Sequence, residues 1–191
     1  MYFATPTIAA VMAFTSFAAA TPLQARQDTL QDWQVTSVNS HTPSGRPGSY
    51  PWSSLSANIT DPNTINLGTS DSDGTSVIVP AGSQGINCEA KYFKGETPLG
   101  RTWPCDAITG GYWTMQVLAG SSGQYSSGDF NLKFRHVPDV LYRGAQYTAT
   151  FEATGHFAIG DNLKGTCGGS GVCNWGLAAE KKPVLIKPSK V

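Results

Sequence analysis

The side chains that could carry acid–base or nucleophilic chemistry are few and scattered along the chain. His41, His136 and His156 are its histidines, and histidine is the side chain best suited to proton transfer near neutral pH. A Ser-His-Asp hydrolase also needs a nucleophilic serine, and the G-x-S-x-G turn that marks one class of such serines does not occur. The nearest sequence, Gly-Gly-Ser-Gly at 168–171, lies between two cysteines, where glycines favour a tight turn. We therefore predict no catalytic residue and expect that the protein is not an enzyme.

Acidic side chains suggest two further kinds of site, a calcium site and a glycosidase pair. Asp61, Asp71 and Asp73 share one polar segment, but the D-x-D-G sequence at 71–74 lacks the remaining ligands and the closing glutamate of an EF-hand. A solvated turn is the favoured interpretation, so no metal site is predicted. A glycosidase needs two carboxyl groups at a set separation, and no local pattern marks such a pair. The glutamates considered for it are Glu89, Glu96 and Glu152.

The four cysteines favour disulfide bonds over a metal site or a reactive thiol. Zinc sites usually combine closely spaced cysteines with further His or Cys ligands, and only His156 lies near the second cysteine pair. An exported chain meets an oxidising compartment, and four cysteines allow three pairings. Joining Cys88 to Cys105 and Cys167 to Cys173 closes the shortest loops and costs the least entropy. These four residues are the candidate disulfide sites.

Aromatic side chains are candidates for binding, because they stack on sugars and on flat ligands. We expect at least half of them to lie in the core. The aromatic residues considered are Trp52, Trp103, Trp113, Trp175, Tyr50, Tyr125 and Tyr142. Asn58 begins Asn-Ile-Thr, the one N-glycosylation acceptor sequence, and alternation places it on the polar face of its strand. Asn58 is therefore a glycosylation candidate.

Period-two alternation of apolar and polar residues predicts the scaffold. The predicted strand segments are 33–40, 54–60, 76–79, 86–90, 112–118, 130–135, 147–153 and 184–186, with 112–118 apolar on both faces. The predicted loops are 42–51, 61–75, 94–99 and 120–128, and 176–182 is predicted to form one or two helical turns. Twenty-one glycines and 12 prolines suit short strands and turns better than long helices. We predict one all-β domain at 27–191, an antiparallel β-barrel or sandwich of about eight to eleven short strands.

The N-terminal residues predict export from the cell. Residues 8–17 are mostly apolar and are followed by three alanines, a pattern that signal peptidase accepts. We therefore predict a signal peptide at 1–20, cleaved near Ala20. Residues 21–26 are either a short propeptide ending at Arg26 or a disordered tail of the mature chain. No later segment is apolar over the roughly 18 residues of a membrane helix, and the end lacks the apolar tail of a glycolipid anchor, so no membrane association is expected.

The balance of charge argues against a nucleic-acid partner. Thirteen basic residues are matched by 13 acidic ones, and no basic stripe stands out. The lysines near the C-terminus are interpreted as a solvated end. No cofactor is predicted from any of these features.

Several short motifs, taken in order, resemble one family of secreted fungal proteins. They are PL-x-x-R-Q at 22–27, Trp-Gln-Val at 33–35, P-x-G at 43–45, Ser-Leu to Asn-Ile at 54–59, Cys88, Trp-x-Cys at 103–105, Tyr-Trp at 112–113, and a glycine-rich loop between cysteines at 167–173. In this order, over nearly the whole chain, they are similar to the Alternaria major allergen family, whose members include elicitors of plant cell death.

The resemblance implies a fold, a setting and partners. It implies a β-barrel with two intrachain disulfides matching the two local pairs. It also implies an extracellular effector or allergen that binds plant defence proteins of the thaumatin-like class and small flavonoid-like ligands. The family's prototype carries an extra N-terminal cysteine that joins two chains, and this chain has no counterpart, so no covalent dimer is expected. Because the second cysteine loop is shorter and several loops are longer, we carry over only the four cysteines, as structural residues.

We therefore expect a secreted, monomeric or weakly associating protein that acts by binding in the host apoplast or at the fungal cell surface. Its expected role is that of an effector or elicitor that host defence senses or that interferes with it, as a virulence factor would. Two alternatives remain open. One is a glycan-binding or glycan-active protein of the cell wall, and the other is a purely structural secreted protein.

Overall fold

The structure, a computed structural model, describes residues 30–191. The predicted signal peptide at 1–20 and propeptide at 21–26 lie outside the described residues. Within the described part the chain is all-β and antiparallel, as predicted, and most of its strands belong to two packed sheets. The two sheets form a sandwich and not the closed barrel that the resemblance implies.

The first sheet, called sheet I, contains six strands in the order β11-β12-β1-β2-β5, with β13 paired to the start of β1. Their bounds are β1 Trp33–Thr42, β2 Trp52–Asp61, β5 Ser83–Phe93, β11 Leu163–Cys167, β12 Cys173–Leu177 and β13 Val184–Ile186. β12 and β13 pair with opposite halves of β1, because the chain between them turns through a short 3-10 helix, Ala179–Lys181.

The second sheet, called sheet II, contains six strands in the order β14-β10-β8-β7-β6, with β9 paired to the end of β8. Their bounds are β6 Thr102–Pro104, β7 Gly111–Ala119, β8 Asp129–Tyr142, β9 Ala145–Thr148, β10 Phe151–Ala158 and β14 Ser189–Lys190. A separate hairpin joins β3 Ile65–Thr69 to β4 Ser76–Val79. The described residues thus form 14 strands, more than the sequence predicts.

The core lies between the two sheets and is built by the predicted alternation. Its largest fully buried side chains include Trp33, Trp113, Phe130, Phe134 and Phe157. The inward residues of β2 and β8 alternate strictly over most of each strand, so each strand has one apolar face toward the core. Apolar burial on this scale is the main source of stability for a domain of this size.

Four local predictions differ from the structure. The predicted loop 61–75 contains β3, because residues 65–69 pair with β4 in an antiparallel hairpin. The predicted strand 147–153 is two strands, β9 and β10, which pair with different parts of β8. Segment 176–182 is helical only at Ala179–Lys181, because its first two residues, 176 and 177, belong to β12.

The fourth difference concerns the start of β5. Period-two alternation over 86–90 predicts that Ile86 shares the apolar face with Cys88 and Ala90, yet its side chain is exposed. The pairing register between β2 and β5 shifts at Ala57 and Ile59, and Asn87 adopts a positive φ of 52°. A bulge of this kind turns the side chains on one side of it to the opposite face, which sequence alternation alone cannot reveal.

Both disulfides join the locally paired cysteines, as predicted. Cys88 on β5 bonds to Cys105, which follows β6 and so links sheet I to sheet II. Cys167 and Cys173 are directly opposite each other at the end of the β11–β12 hairpin. Two disulfides are compatible with an extracellular protein.

Gly111, the first residue of β7, occupies a position where we expect any larger side chain to destabilise the fold. Its φ is +146°, and a Cβ atom there would lie 2.2 Å from the carbonyl oxygen of Val137 on β8. We expect Gly111→Ala to lower the free energy of unfolding by about 1–3 kcal/mol. The matched control is Gly169→Ala, because a Cβ at Gly169 meets no atom within 4 Å. Urea denaturation of both variants measures the difference, and equal stabilities would contradict the assigned β7–β8 contact.

Candidate functional site

The outer face of sheet I carries mostly polar side chains. Four strands supply it, because the outward residues of β12, β1, β2 and β5 are directly opposite one another. This surface, called the polar face, consists of Ser37, Asn39, His41, Ser54, Ser56, Asn58, Glu89, Lys91 and Asn174. It includes a shallow pocket of about 240 Å³ between β2, β1 and β12.

An exposed aromatic cluster lies at one end of the polar face. Trp52 and Phe93 are cross-strand partners on β2 and β5, and their rings meet edge to face with centroids 5.6 Å apart. Tyr50 precedes β2. The exposed fraction is 57% for Tyr50, 39% for Trp52 and 45% for Phe93. Single exposed aromatic residues are common on protein surfaces, whereas three neighbouring exposed aromatic residues are typical of a binding surface. We name these residues, with Lys91, the aromatic cluster.

Lys91 gives the aromatic cluster a positive charge. Its ammonium lies 5.6 Å from the Tyr50 ring centroid and 5.8 Å from that of Trp52, within the range of cation–π attraction. The hydrogen bond with Tyr50 raises the pKa of Lys91, whose side chain is an ammonium at neutral pH. The cluster therefore combines flat apolar rings with one fixed cation.

Asn58, the glycosylation candidate, lies on the polar face as predicted. It is partly exposed in the middle of β2, and its side-chain oxygen accepts a hydrogen bond of 2.9 Å from the backbone N–H of Asn87. A glycan at Asn58 would cover the end of the polar face that lies opposite the aromatic cluster. Its attachment stays a prediction.

Two of the three histidines are on the surface in separate places. His41 belongs to the polar face, where a ring nitrogen lies 2.8 Å from the side-chain oxygen of Asn174. His156 lies 2.7 Å from Asp129, which also accepts hydrogen bonds from Ser121. The bonds from Ser121 and His156 lower the pKa of Asp129 to about 2 and tie one end of the 120–128 loop to β10.

The third histidine, His136, forms a buried cluster that the sequence analysis missed. It lies on β8, with its Nε2 3.1 Å from Ser83 Oγ and its Nδ1 3.0 Å from Asp61 Oδ2. The His136 ring stacks on Trp113 at a centroid distance of 4.3 Å, and the Trp113 indole N–H donates to Ser83 Oγ at 3.1 Å. Asp61 ends β2 and Ser83 begins β5, and they are cross-strand partners. We call Ser83, His136 and Asp61 the buried triad.

One member of the buried triad borders a cleft. His136 and Asp61 are 0% and 2% exposed, whereas Ser83 is partly exposed and lines a cleft of about 480 Å³. The cleft lies between segments 79–84 and 106–110, with Ile86 on one side. Its volume is in the range of small-molecule sites in proteins.

The acidic residues considered for calcium or glycosidase sites do not converge. Asp73 contacts Arg143 and Tyr142, and hydrogen bonds from Thr75 and Tyr142 lower its pKa. Glu152 pairs with Arg135 at 2.8 Å, and Glu96 lies 3.7 Å from Arg101. Among residues 30–191 no group of three or more potential ligands could hold a metal ion.

The other aromatics considered for binding are mostly interior. Trp113 is buried, and Trp103, Tyr125 and Trp175 pack against the core. The Gly-Gly-Ser-Gly sequence forms the tight turn between β11 and β12, as predicted. Over the described residues, no helix is long and apolar enough to cross a membrane.

No protein-family model, curated protein or solved structure matches this chain. The similarity to the Alternaria major allergen family therefore stays a prediction that rests on the motifs alone.

Proposed function

We propose that this is a secreted binding protein of the fungal effector or elicitor kind, which contacts a host extracellular protein through the aromatic cluster. The supporting observation is the exposure of Tyr50, Trp52 and Phe93 beside the Lys91 ammonium. Tryptophan and tyrosine are enriched among the residues that dominate protein–protein affinity, because they bury a large area at low entropic cost. The sandwich holds Trp52 and Phe93 on two paired strands, so these two side chains need to gain little order on binding.

The class of partner comes from the family resemblance. It supports a plant defence protein of the thaumatin-like class as the partner, and a flavonoid-like molecule as a possible small ligand. The cleft of about 480 Å³ beside Ile86 is large enough for such a ligand. The two disulfides suit a protein that acts where proteases are abundant, because they restrict the unfolded chain.

Glycan binding is a second candidate, which the polar face favours. Serine, asparagine and histidine side chains lie opposite one another across β12, β1 and β2, and such groups both donate and accept hydrogen bonds. A row of them leading to Trp52 is suited to an extended polysaccharide, with the ring stacked on one sugar.

A capture experiment with a single substitution tests the first proposal. The oxidised mature protein, immobilised, is incubated with plant apoplastic fluid, in parallel with Trp52→Ala. We expect a thaumatin-like protein to be captured by the unsubstituted protein and its affinity to fall about 10-fold or more in Trp52→Ala, since a central aromatic anchor is removed. Tyr112→Ala is the matched control, because Tyr112 is 48% exposed but belongs to sheet II.

The same preparations separate the two candidates. Sedimentation with insoluble chitin or glucan measures glycan binding directly. Retention on polysaccharide that Trp52→Ala weakens, with no defence protein captured, would replace the first proposal by the second. Equal capture by Trp52→Ala and the unsubstituted protein would exclude the aromatic cluster as the binding surface.

A further inference from the structure

The buried triad has the hydrogen-bond order of a serine hydrolase. Ser83 Oγ, His136 Nε2, His136 Nδ1 and Asp61 Oδ2 follow one another at 3.1 Å and 3.0 Å. In hydrolase triads the same order lets the imidazole accept the serine proton while the carboxylate holds the ring. Since such triads occur on unrelated folds, they are identified by geometry and not by position in the sequence.

The surroundings of Asp61 determine which histidine nitrogen carries the proton. The other carboxylate oxygen, Oδ1, accepts hydrogen bonds from the backbone N–H and the side-chain amide of Asn63, at 2.8 Å and 2.7 Å. An ionised carboxylate only accepts, so His136 Nδ1 is the donor to Oδ2. The neutral ring then has an unprotonated Nε2, whose lone pair faces the Ser83 hydroxyl. This is the tautomer that a general base requires.

Trp113 holds both the base and the nucleophile. Its ring stacks on His136 with planes 4° apart, and its indole N–H donates to Ser83 Oγ. A hydroxyl oxygen has two lone pairs, so one accepts from Trp113 and the other stays available to form a bond. As the hydroxyl loses its proton, the indole N–H also stabilises the negative charge that develops on Oγ.

We propose that Ser83 is the nucleophile of an esterase site that takes small, uncharged esters from the cleft. Asp106 is the charged residue among those lining the cleft, so it disfavours anionic substrates. The rest of the lining is largely apolar, with Val79, Ile86 and Ile108, and suits a short acyl chain.

The reaction follows from the triad. Ser83 Oγ bonds to the ester carbonyl carbon, its proton passes to His136 Nε2, and the carbonyl π electrons move to oxygen. Collapse of this intermediate breaks the bond to the alcohol, which leaves with the proton from Nε2. Water then attacks the acylated Ser83 by the same route, releasing a carboxylic acid and restoring the hydroxyl. The amide N–H of Gly82 donates to the Asp61 carbonyl at 2.8 Å and is not free for an oxyanion, so slow turnover of activated esters is expected.

Covalent labelling tests the proposal. The full-length mature protein is treated with a fluorophosphonate probe, and the modified residue is located by mass spectrometry. We expect Ser83 to be labelled in the unsubstituted protein, with labelling lost in Ser83→Ala and retained in Ser170→Ala, a serine in the β11–β12 turn. Asp61→Asn should slow labelling at least about 10-fold, because an amide does not hold the required tautomer.

Hydrolysis of 4-nitrophenyl butyrate gives a second measurement. We expect the unsubstituted protein to hydrolyse it about 10-fold faster than Ser83→Ala, with near-ultraviolet circular dichroism confirming that the variant is folded. Unlabelled Ser83 in the folded protein, or equal hydrolysis by Ser83→Ala, overturns the proposal. Because neither measurement uses the aromatic cluster, failure here leaves the proposed binding function untouched.

Discussion

Replacing His136 by leucine is expected to lower the free energy of unfolding by about 1.5–3 kcal/mol, because it removes the hydrogen bond that His136 Nδ1 donates to the buried Asp61 carboxylate. Asp61 is 2% exposed, and His136 is its link to sheet II. Leucine is close to histidine in volume, so a cavity contributes little to the loss. Urea denaturation followed by tryptophan fluorescence measures the change.

Asp61→Asn, combined with His136→Leu, completes a double-mutant cycle. We expect its effect on the free energy of unfolding to have opposite signs in the presence and absence of His136. With His136 present, Asp61→Asn is expected to destabilise the fold, because it disrupts the pair. In the His136→Leu background it should stabilise the fold, since it removes an unpaired charge while its oxygen can still accept from Asn63. If His136→Leu costs less than about 1 kcal/mol, or if Asp61→Asn destabilises both backgrounds equally, the pair does not hold the sheets together in this way.

Opening the Cys88–Cys105 disulfide is the second change with a large expected effect. The two cysteines are 17 residues apart in sequence, and the loop-entropy relation gives about 3 kcal/mol for a loop of that length. We expect Cys88→Ala and Cys105→Ala to lose similar stability and similar resistance to proteases. The double substitution should lose little more, because either single one already removes the bond. Denaturant midpoints and digestion half-lives measure both quantities.

The other disulfide is the matched control for this prediction. Cys167 and Cys173 are six residues apart, which corresponds to about 2 kcal/mol, and they close a hairpin within sheet I. Cys167→Ala should therefore cost less than Cys88→Ala. Additive losses from Cys88→Ala and Cys105→Ala would contradict the assigned pairing.

Much of the scaffold could be predicted from the sequence, because strand formation depends on neighbouring residues. The alternation of Leu55, Ala57 and Ile59 places each of them in the core, and all three are buried. The bulge beside Ile86 could not be predicted, since it results from the pairing of β5 with β2. A register shift depends on how two strands pair, so it cannot be detected from the residues of one strand alone.

Some features of the candidate sites could be predicted from the sequence, and others depend on how the strands pack. The all-β class, the local cysteine pairs and the position of Asn58 on a polar face could be predicted from the sequence alone, because period-two patterning and short loop closure are local properties. The packing of the sheets is needed to explain why Trp113 is buried while Tyr112 beside it is exposed, because segment 112–118 is apolar on both faces. The tertiary structure alone also brought Asp61, Ser83 and His136 together from three strands in two sheets. Contacts between distant strands depend on how the sheets pack, and no spacing within the chain encodes them.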